Sequence, residues 1–497
     1  MRKTFTSFFL LIVFSLIACW PALLNGQPFF FTDTYGYLHN GHVALTKAIG
    51  LLQTAQPSEI SPPSATWSHP VIQGHAADAG RSAYYGVFLD GIHRIGGFGF
   101  VPIAQALILL SEIGLLLTYC GAFRPVVFGA VVIVISALTP FAFFNAFLMP
   151  DVFAGSVILA VAALVVFGPT MPFVHFVFWF CVLTAGLLFH ASHIAIAGIL
   201  LLIVGALMLT RRIAASWRGL GAVGLAMALA AAGNIVPDRA AAKLSGERPI
   251  RQPLFMARLI ADGPGYRYLA KTCPKSGFAV CAYLDRLKGI DFDTFLYSEV
   301  PGVGVVALLS VAEKRALSDE QFRFASAVAR FDPPGFVFTT SRNALQQLLT
   351  FGVDEFNYGS NYLVDVRERY PEPDRSVVLA SAAARGAVPT TLIHVLTWVA
   401  VLASLAILGR FFLDDRKSKD VDRVRLTVMI VLAGIITNAV VCGVLSGPFS
   451  RFEARVIWLM PFMAILTLAR REVVFPLKSG RTTTSGMMRE CSSSLRT

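Results

Sequence analysis

"FFLLIVFSLIACWPALLNGQPFFFTDTYGYL", Phe8–Leu38, joins an apolar run to an acid, Asp33, set among aromatic residues. No residue from Phe8 to Leu24 is charged, and such a run approaches the length of a membrane-spanning helix. A carboxylate held just beyond it is costly near lipid, so Asp33 is a candidate for function by default.

The rest of the chain repeats the apolar half of that pattern. Of 497 residues, 55% are hydrophobic and 14% charged, too little charge to coat a soluble protein of this length. Further apolar runs lie at about Val101–Cys120, Val126–Pro140, Val152–Phe167, Phe173–Leu188, Ile194–Leu209, Leu220–Val236, Leu392–Leu408, Val424–Leu445 and Val456–Ala469. They predict an all-α polytopic membrane protein with about ten transmembrane helices. The expected organisation is a membrane module over 1–236, with a first outer loop at 25–99, and a mostly helical extracytosolic domain over 237–391. C-terminal transmembrane helices over 392–470 and a disordered cytosolic tail over 471–497 complete it.

Charge sets the expected orientation. With both termini in the cytosol, the cytosolic pieces hold 18 basic and 6 acidic residues, leaving 24 of each elsewhere. The whole net charge of +12 is then cytosolic, as the positive-inside rule requires. It is a topology signal with an affinity for anionic lipid, and it gives no hint of nucleic acid. Cys273 and Cys281 are the two cysteines in the large polar loop. Outside the cytosol such a pair is expected to oxidise to a disulfide. "LIAC" at Leu16–Cys19 also fits a lipoprotein cleavage box, so cleavage at Cys19 is left open.

The first outer loop carries two amphipathic patterns, "YLHNGHVALTKAIGLL" and "RSAYYGVFLDGIHRI", which predict interfacial helices. Between them "QPSEISPPSATWSHP" reads as loop. Asp151 follows Pro150, a spacing that suits the first turn of the next span. There it would be a helix cap at the positive end of the dipole. His190 and His193 share a helix face, more in keeping with interfacial histidines than with a metal pair. Arg451, Glu453 and Arg455 crowd the last outer turn, as a solvated turn or as a phosphate site. Glu112 lies inside a span, either functional or bonded between helices.

In this order, "TDTYGYL", "RSAYYGVFLDGI", "TPFAFFNAFLMPD" and "HASH" resemble the glycosyltransferase C superfamily. Its bacterial members, among them protein O-mannosyltransferases and the aminoarabinose transferase of lipid A, use polyprenyl-phosphate sugars. The resemblance runs from Phe8 to about Val236, with a further hint at Gly447–Arg455. It implies a bacterial inner-membrane enzyme, an inverting hexosyl- or pentosyltransferase. Such an enzyme moves a sugar from a polyprenyl-phosphate donor to an extracytosolic lipid, glycan or protein acceptor. It makes Asp33 the catalytic acid of the first outer loop and Asp151 the second. Many relatives have two adjacent acids where this chain has Asp33 between Thr32 and Thr34, which leaves a divalent metal open as cofactor.

Sugar transfer needs a base for the acceptor hydroxyl and cations for the departing phosphate. Arg81, Arg258, Arg451 and Arg455 are the candidate cations, with Tyr84, His190 and His193 as further substrate-binding candidates. A transporter or flippase of a lipid-linked saccharide is the alternative, and a scaffold for an envelope partner a third reading. Transporters commonly carry matched halves with acids near the bilayer midplane, whereas here the acids gather beside the outer ends of the runs, Glu112 excepted.

Overall fold

The computed structural model describes residues 2–52, 81–245, 248–413 and 419–474. The loop Gln56–Pro70, the tail from 475 onward with Cys491, and part of the basic cluster Arg410–Arg425 lie outside them. Every regular element among the described residues is helical, apart from one isolated bridge.

The first apolar run is broken. Helix α1 (Arg2–Ile17) stops and the chain restarts as α2 (Trp20–Asn25), with Pro21 in its first turn. Proline there gives up no helical hydrogen bond. Gly26, at φ 83°, ends α2 in a left-handed cap. The two interfacial patterns form α3 (Thr34–Leu52) and α4 (Ala83–Gly96). Ser82 caps α4, accepting from the amides of Tyr84 and Tyr85. There follow α5 (Phe100–Tyr119), α6 (Pro125–Leu138), the short α7 (Phe141–Asn145), α8 (Phe153–Phe167), α9 (Phe173–Phe189), α10 (Ala191–Leu209) and α11 (Trp217–Ser245).

The polar region begins inside α11, which continues through Pro237. It holds α12 (Leu254–Ala261), α13 (Pro264–Thr272), α14 (Phe292–Tyr297), α15 (Val311–Phe331), α16 (Pro333–Leu349), α17 (Ser360–Arg369) and α18 (Asp374–Leu379). It divides in two. Met256, Leu259, Phe295, Leu317, Phe324 and Val328 make a separate small core, beside which Cys273 and Cys281 are joined in a disulfide. Phe351, Phe356, Val366 and Tyr370 belong to the large core of the apolar helices. The chain closes with α19 (Thr390–Phe412), α20 (Lys419–Leu445), α21 (Ser450–Ile457) and α22 (Leu459–Val474).

Among the described residues, seven helices are long and apolar enough to cross a membrane: those containing α5, α8, α10, α11, α19, α20 and α21–α22. Helices α6 and α9 are apolar but shorter. Every residue of α8 is buried, as expected of a helix apolar on all sides. Helices α5, α9, α10, α11 and α20 pack around it.

The bundle has two distinct ends. At one, Arg470 donates to the Cys120 carbonyl at 3.2 Å, the Ser216 amide to Val165 at 2.9 Å, and Arg218 lies over Phe176. Arg124, at the N-cap of α6, and Arg211 and Arg212, in the turn after α10, also sit at this end. The other end gathers the candidate site.

Candidate active site

The site starts from a stitch between two loops. Phe29 donates its amide to the Ala146 carbonyl at 2.8 Å and accepts from the Leu148 amide at 2.9 Å, a parallel bridge to Phe147. Thr34 tightens it, its hydroxyl donating to Leu148 at 3.2 Å and accepting from the Phe31 amide at 2.9 Å. The segments carrying Asp33 and Asp151 are thereby held side by side.

Asp33 sits at the start of α3, its carbonyl accepting from the Tyr37 amide at 3.2 Å. Its carboxylate forms an ion pair with Arg81, the residue just before the cap of α4. Neither side chain is fully buried. The register of this pair is set by glycines. A Cβ on Gly41 would stand 2.1 Å from the Gly86 carbonyl oxygen, and one on Gly86 would stand 2.3 Å from that of Tyr37. Only hydrogens allow α3 and α4 this close.

A second cation and a third carboxylate come from distant parts of the chain. Phe356 inserts among Phe29, Phe143, Phe144 and Phe147 at ring-centroid separations of 4.8, 5.4, 5.5 and 4.9 Å. This cage fixes its neighbour Glu355, which pairs with Arg451 at 3.5 Å. The Arg451 guanidinium lies 4.4 Å over the ring of Phe31, a cation–π contact two residues from Asp33. Its Nη1 is buried with no hydrogen-bond partner among the described residues. Burial raises the Glu355 carboxyl above the usual glutamate range; Arg451 pulls it back, while Asp151, Asp354 and Asp33 add to the rise. A cavity of about 360 Å³ opens beside it, lined by Phe31, Thr32, Glu355, Tyr358 and Tyr362 among others.

Asp151 is not a helix cap. It lies in the turn Pro150–Val152 without a capping bond, and its carboxylate accepts from Arg455 at 3.3 Å. Arg455 is completely buried. It also donates to Asn438 Oδ1 at 2.9 Å, Ser192 Oγ at 3.1 Å and Cys442 Sγ at 3.3 Å. A buried arginine must be paired this fully to be tolerated. Glu453 is buried as well, accepting from the Asn438 amide at 2.9 Å. The expected solvated turn is therefore an interior ion network, because α21 packs its charged face against α7 and α8 rather than outward.

The remaining candidates divide. His190 stands at the N-cap of α10, accepting from the Ser192 amide at 3.2 Å. Burial pushes its imidazole down to about 3, with Arg455, Arg451 and Arg81 acting the same way, so it stays neutral. His193 is completely buried rather than interfacial, with Nδ1 on the Gly186 carbonyl at 2.8 Å and Nε2 without a partner among the described residues. Tyr84 donates to the Gly233 carbonyl at 2.8 Å and ties α4 to α11. Arg258 belongs to the small core's edge, paired with Asp262 and stacked 5.4 Å over Phe292. Glu112 is buried and accepts from Ser156 at 2.9 Å. Among the described residues no three His, Cys, Asp or Glu side chains converge to hold a metal ion.

The electrostatic reach of these groups marks one shared mouth. Burial raises the Tyr37 hydroxyl above the ordinary tyrosine range, and next to burial Asp33 and Asp151 do most to raise it further, with Arg81 and Arg451 opposing. Tyr297, at the end of α14, is about half exposed, and its hydroxyl is raised by desolvation and then by Asp33, so α14 of the small domain lies within electrostatic reach of Asp33. Glu355 and Tyr297 went unseen in the sequence, since nothing local marks either as close to Asp33. No protein-family model, curated protein or solved structure matches the chain.

Proposed function

We propose that the protein is a membrane glycosyltransferase that moves a sugar from a polyprenyl-phosphate donor to an extracytosolic acceptor, with inversion. The observation that carries this reading is the mouth itself. The Asp33–Arg81 pair stands beside Arg451, whose buried Nη1 lacks a partner. A carboxylate next to an under-satisfied guanidinium suits a reaction that removes a proton and releases a phosphate.

In this reading the Asp33 carboxylate takes the proton of the acceptor hydroxyl. The hydroxyl oxygen bonds to the anomeric carbon as that carbon's bond to the phosphate oxygen breaks. The phosphate leaves with the electron pair and is held by Arg451, whose planar fork matches its oxygens. Arg81 orients Asp33. Arg455 positions Asp151 and is not free to bind substrate, since its donors are spent inside the protein. Ten spans, with α1, α6 and α9 crossing alongside the seven long helices, would place this mouth outside the cytosol. The arginines at the opposite end support that orientation through the positive-inside rule. The polar region 237–391 is then extracytosolic, in a bacterial inner membrane.

The test compares envelope glycolipids and glycans by mass spectrometry in cells lacking the gene, complemented with wild type or with Asp33→Asn. The expected outcome is one species short by a sugar-sized mass, restored by wild type alone at equal protein levels. If Asp33→Asn restores it too, Asp33 is not the base, and a transporter of a lipid-linked saccharide becomes the better reading.

A further inference from the structure

Helix α16 is built inside out for a soluble protein. The side turned to the interior is polar: Thr339, Asn343 and Gln347 are all buried. The side turned outward carries large apolar residues, with Val337 60%, Phe338 68%, Leu345 60% and Leu349 54% exposed; Ser341 and Gln346 are exposed beside them, and half-exposed Arg342 reaches back to Asp262 at 3.5 Å. In water this arrangement loses hydrophobic burial and strands polar groups inside. Against hydrocarbon it is the stable one, provided the inward polar groups are satisfied within the protein.

They are satisfied. The Asn343 amide donates to Asp262 at 2.5 Å. Gln347 donates to the Phe449 carbonyl at 2.9 Å and accepts from the Phe449 amide at 3.0 Å. The helix lies along α20, and a Cβ on Gly443 would stand 2.6 Å from the Asn343 carbonyl oxygen. Small residues at a helix contact are the usual device where helices meet in lipid.

Direction adds to this. Asn343 meets Gly443, Gln347 reaches Phe449, and the Gly352 amide reaches the Ser450 carbonyl. The two chains thus run the same way, and the Val337–Phe338 end of α16 points back along the candidate span Asp422–Leu445. The outward residues of that span, Ile436, Val440 and Leu445, are apolar and exposed too. The apolar face of α16 therefore continues the surface of a helix long enough to cross the membrane. The charged turn before α16, with exposed Arg330 and the Arg267–Asp332 pair, marks where this apolar face ends.

We propose that α16 is seated in lipid, with Val337, Phe338, Leu345 and Leu349 against the acyl chains of the leaflet bordering the site. The test uses the full chain in phospholipid nanodiscs, carrying Cys181→Ser and Cys491→Ser. Nitroxide labels are placed singly by Phe338→Cys and Leu345→Cys, with Val440→Cys as lipid reference and Lys288→Cys as water reference. Collisions with oxygen, which enters lipid, are compared with those of a water-soluble nickel chelate. Positions 338 and 345 are expected to share the oxygen-rich ratio of 440. A nickel-rich ratio like that of 288 overturns the proposal. So does shielding from both reagents, which would assign the face to a second copy or another protein.

Discussion

In the proposed mechanism, Glu355 is the residue on which the site's pH behaviour turns. Its carboxyl lies above the usual glutamate range because it is partly desolvated, and it pairs with Arg451. A raised carboxyl takes up its proton earlier as pH falls. Activity that needs ionised Glu355 to hold Arg451 is therefore present at higher pH and lost as pH drops, beginning above the ordinary value of about 4.3. Glu355→Gln is expected to lower kcat/KM about tenfold, roughly 1.4 kcal/mol for the loss of one partly buried ion pair, and to remove this acid limb from the profile. A limb persisting unchanged in Glu355→Gln assigns it to another group. Neutral His190 is no rival for it, since its own titration lies at about 3. Asp33 was legible in the sequence because an acid directly after an apolar run stands out against its surroundings. Glu355 was not, because "VDEFNYG" looks like any polar loop, and its meaning comes from a phenylalanine cage assembled from other segments.

At the scale of elements, the amphipathic helices α3 and α4 were readable from their apolar period, and their contact was not. The period says that each has an apolar face; it does not say that Gly41 and Gly86 meet. Their approach sets the distance between the residues that precede the helices, Asp33 and Arg81. Gly86→Ala places a methyl group against the Tyr37 carbonyl. It is expected to cost about 1–3 kcal/mol, the range of core overpacking, seen as a lower melting temperature in detergent, with transfer activity falling further than stability alone explains. Wild-type melting and activity in Gly86→Ala would mean that the helix pair adjusts freely and does not hold the ion pair. The break between α15 and α16 falls at Asp332-Pro333-Pro334-Gly335, where the prolines open the second helix. The lipid-like face of α16 was hidden by the polar residues Thr339, Asn343 and Gln347, which make the segment look soluble until their burial is known.

For the whole molecule, composition was enough to predict an all-helical membrane protein, and seven helices meet the length and hydropathy of a span. The polar region was read as one domain because chain continuity is all that a sequence offers; its second half packs into the large core instead. The proposed orientation rests on the arginines at one end of the bundle. Alkaline phosphatase, active only outside the cytosol, is expected to work when fused after Lys288 and to fail when fused after Arg212. The reverse pattern would turn the molecule over and place the mouth in the cytosol.

The phenylalanine cage has a consequence for how the protein is made. Asp33 and Asp151 emerge early in synthesis, yet the mouth lacks its acid partner and its phosphate-sized cation until Glu355 and Arg451 arrive and Phe356 docks. On the proposed mechanism, a nascent or truncated chain that threads most of its helices into the membrane is still inert. In the proposed mechanism the docking of Phe356 completes the mouth, and with it the chemistry, only in a molecule whose two distant halves have found each other.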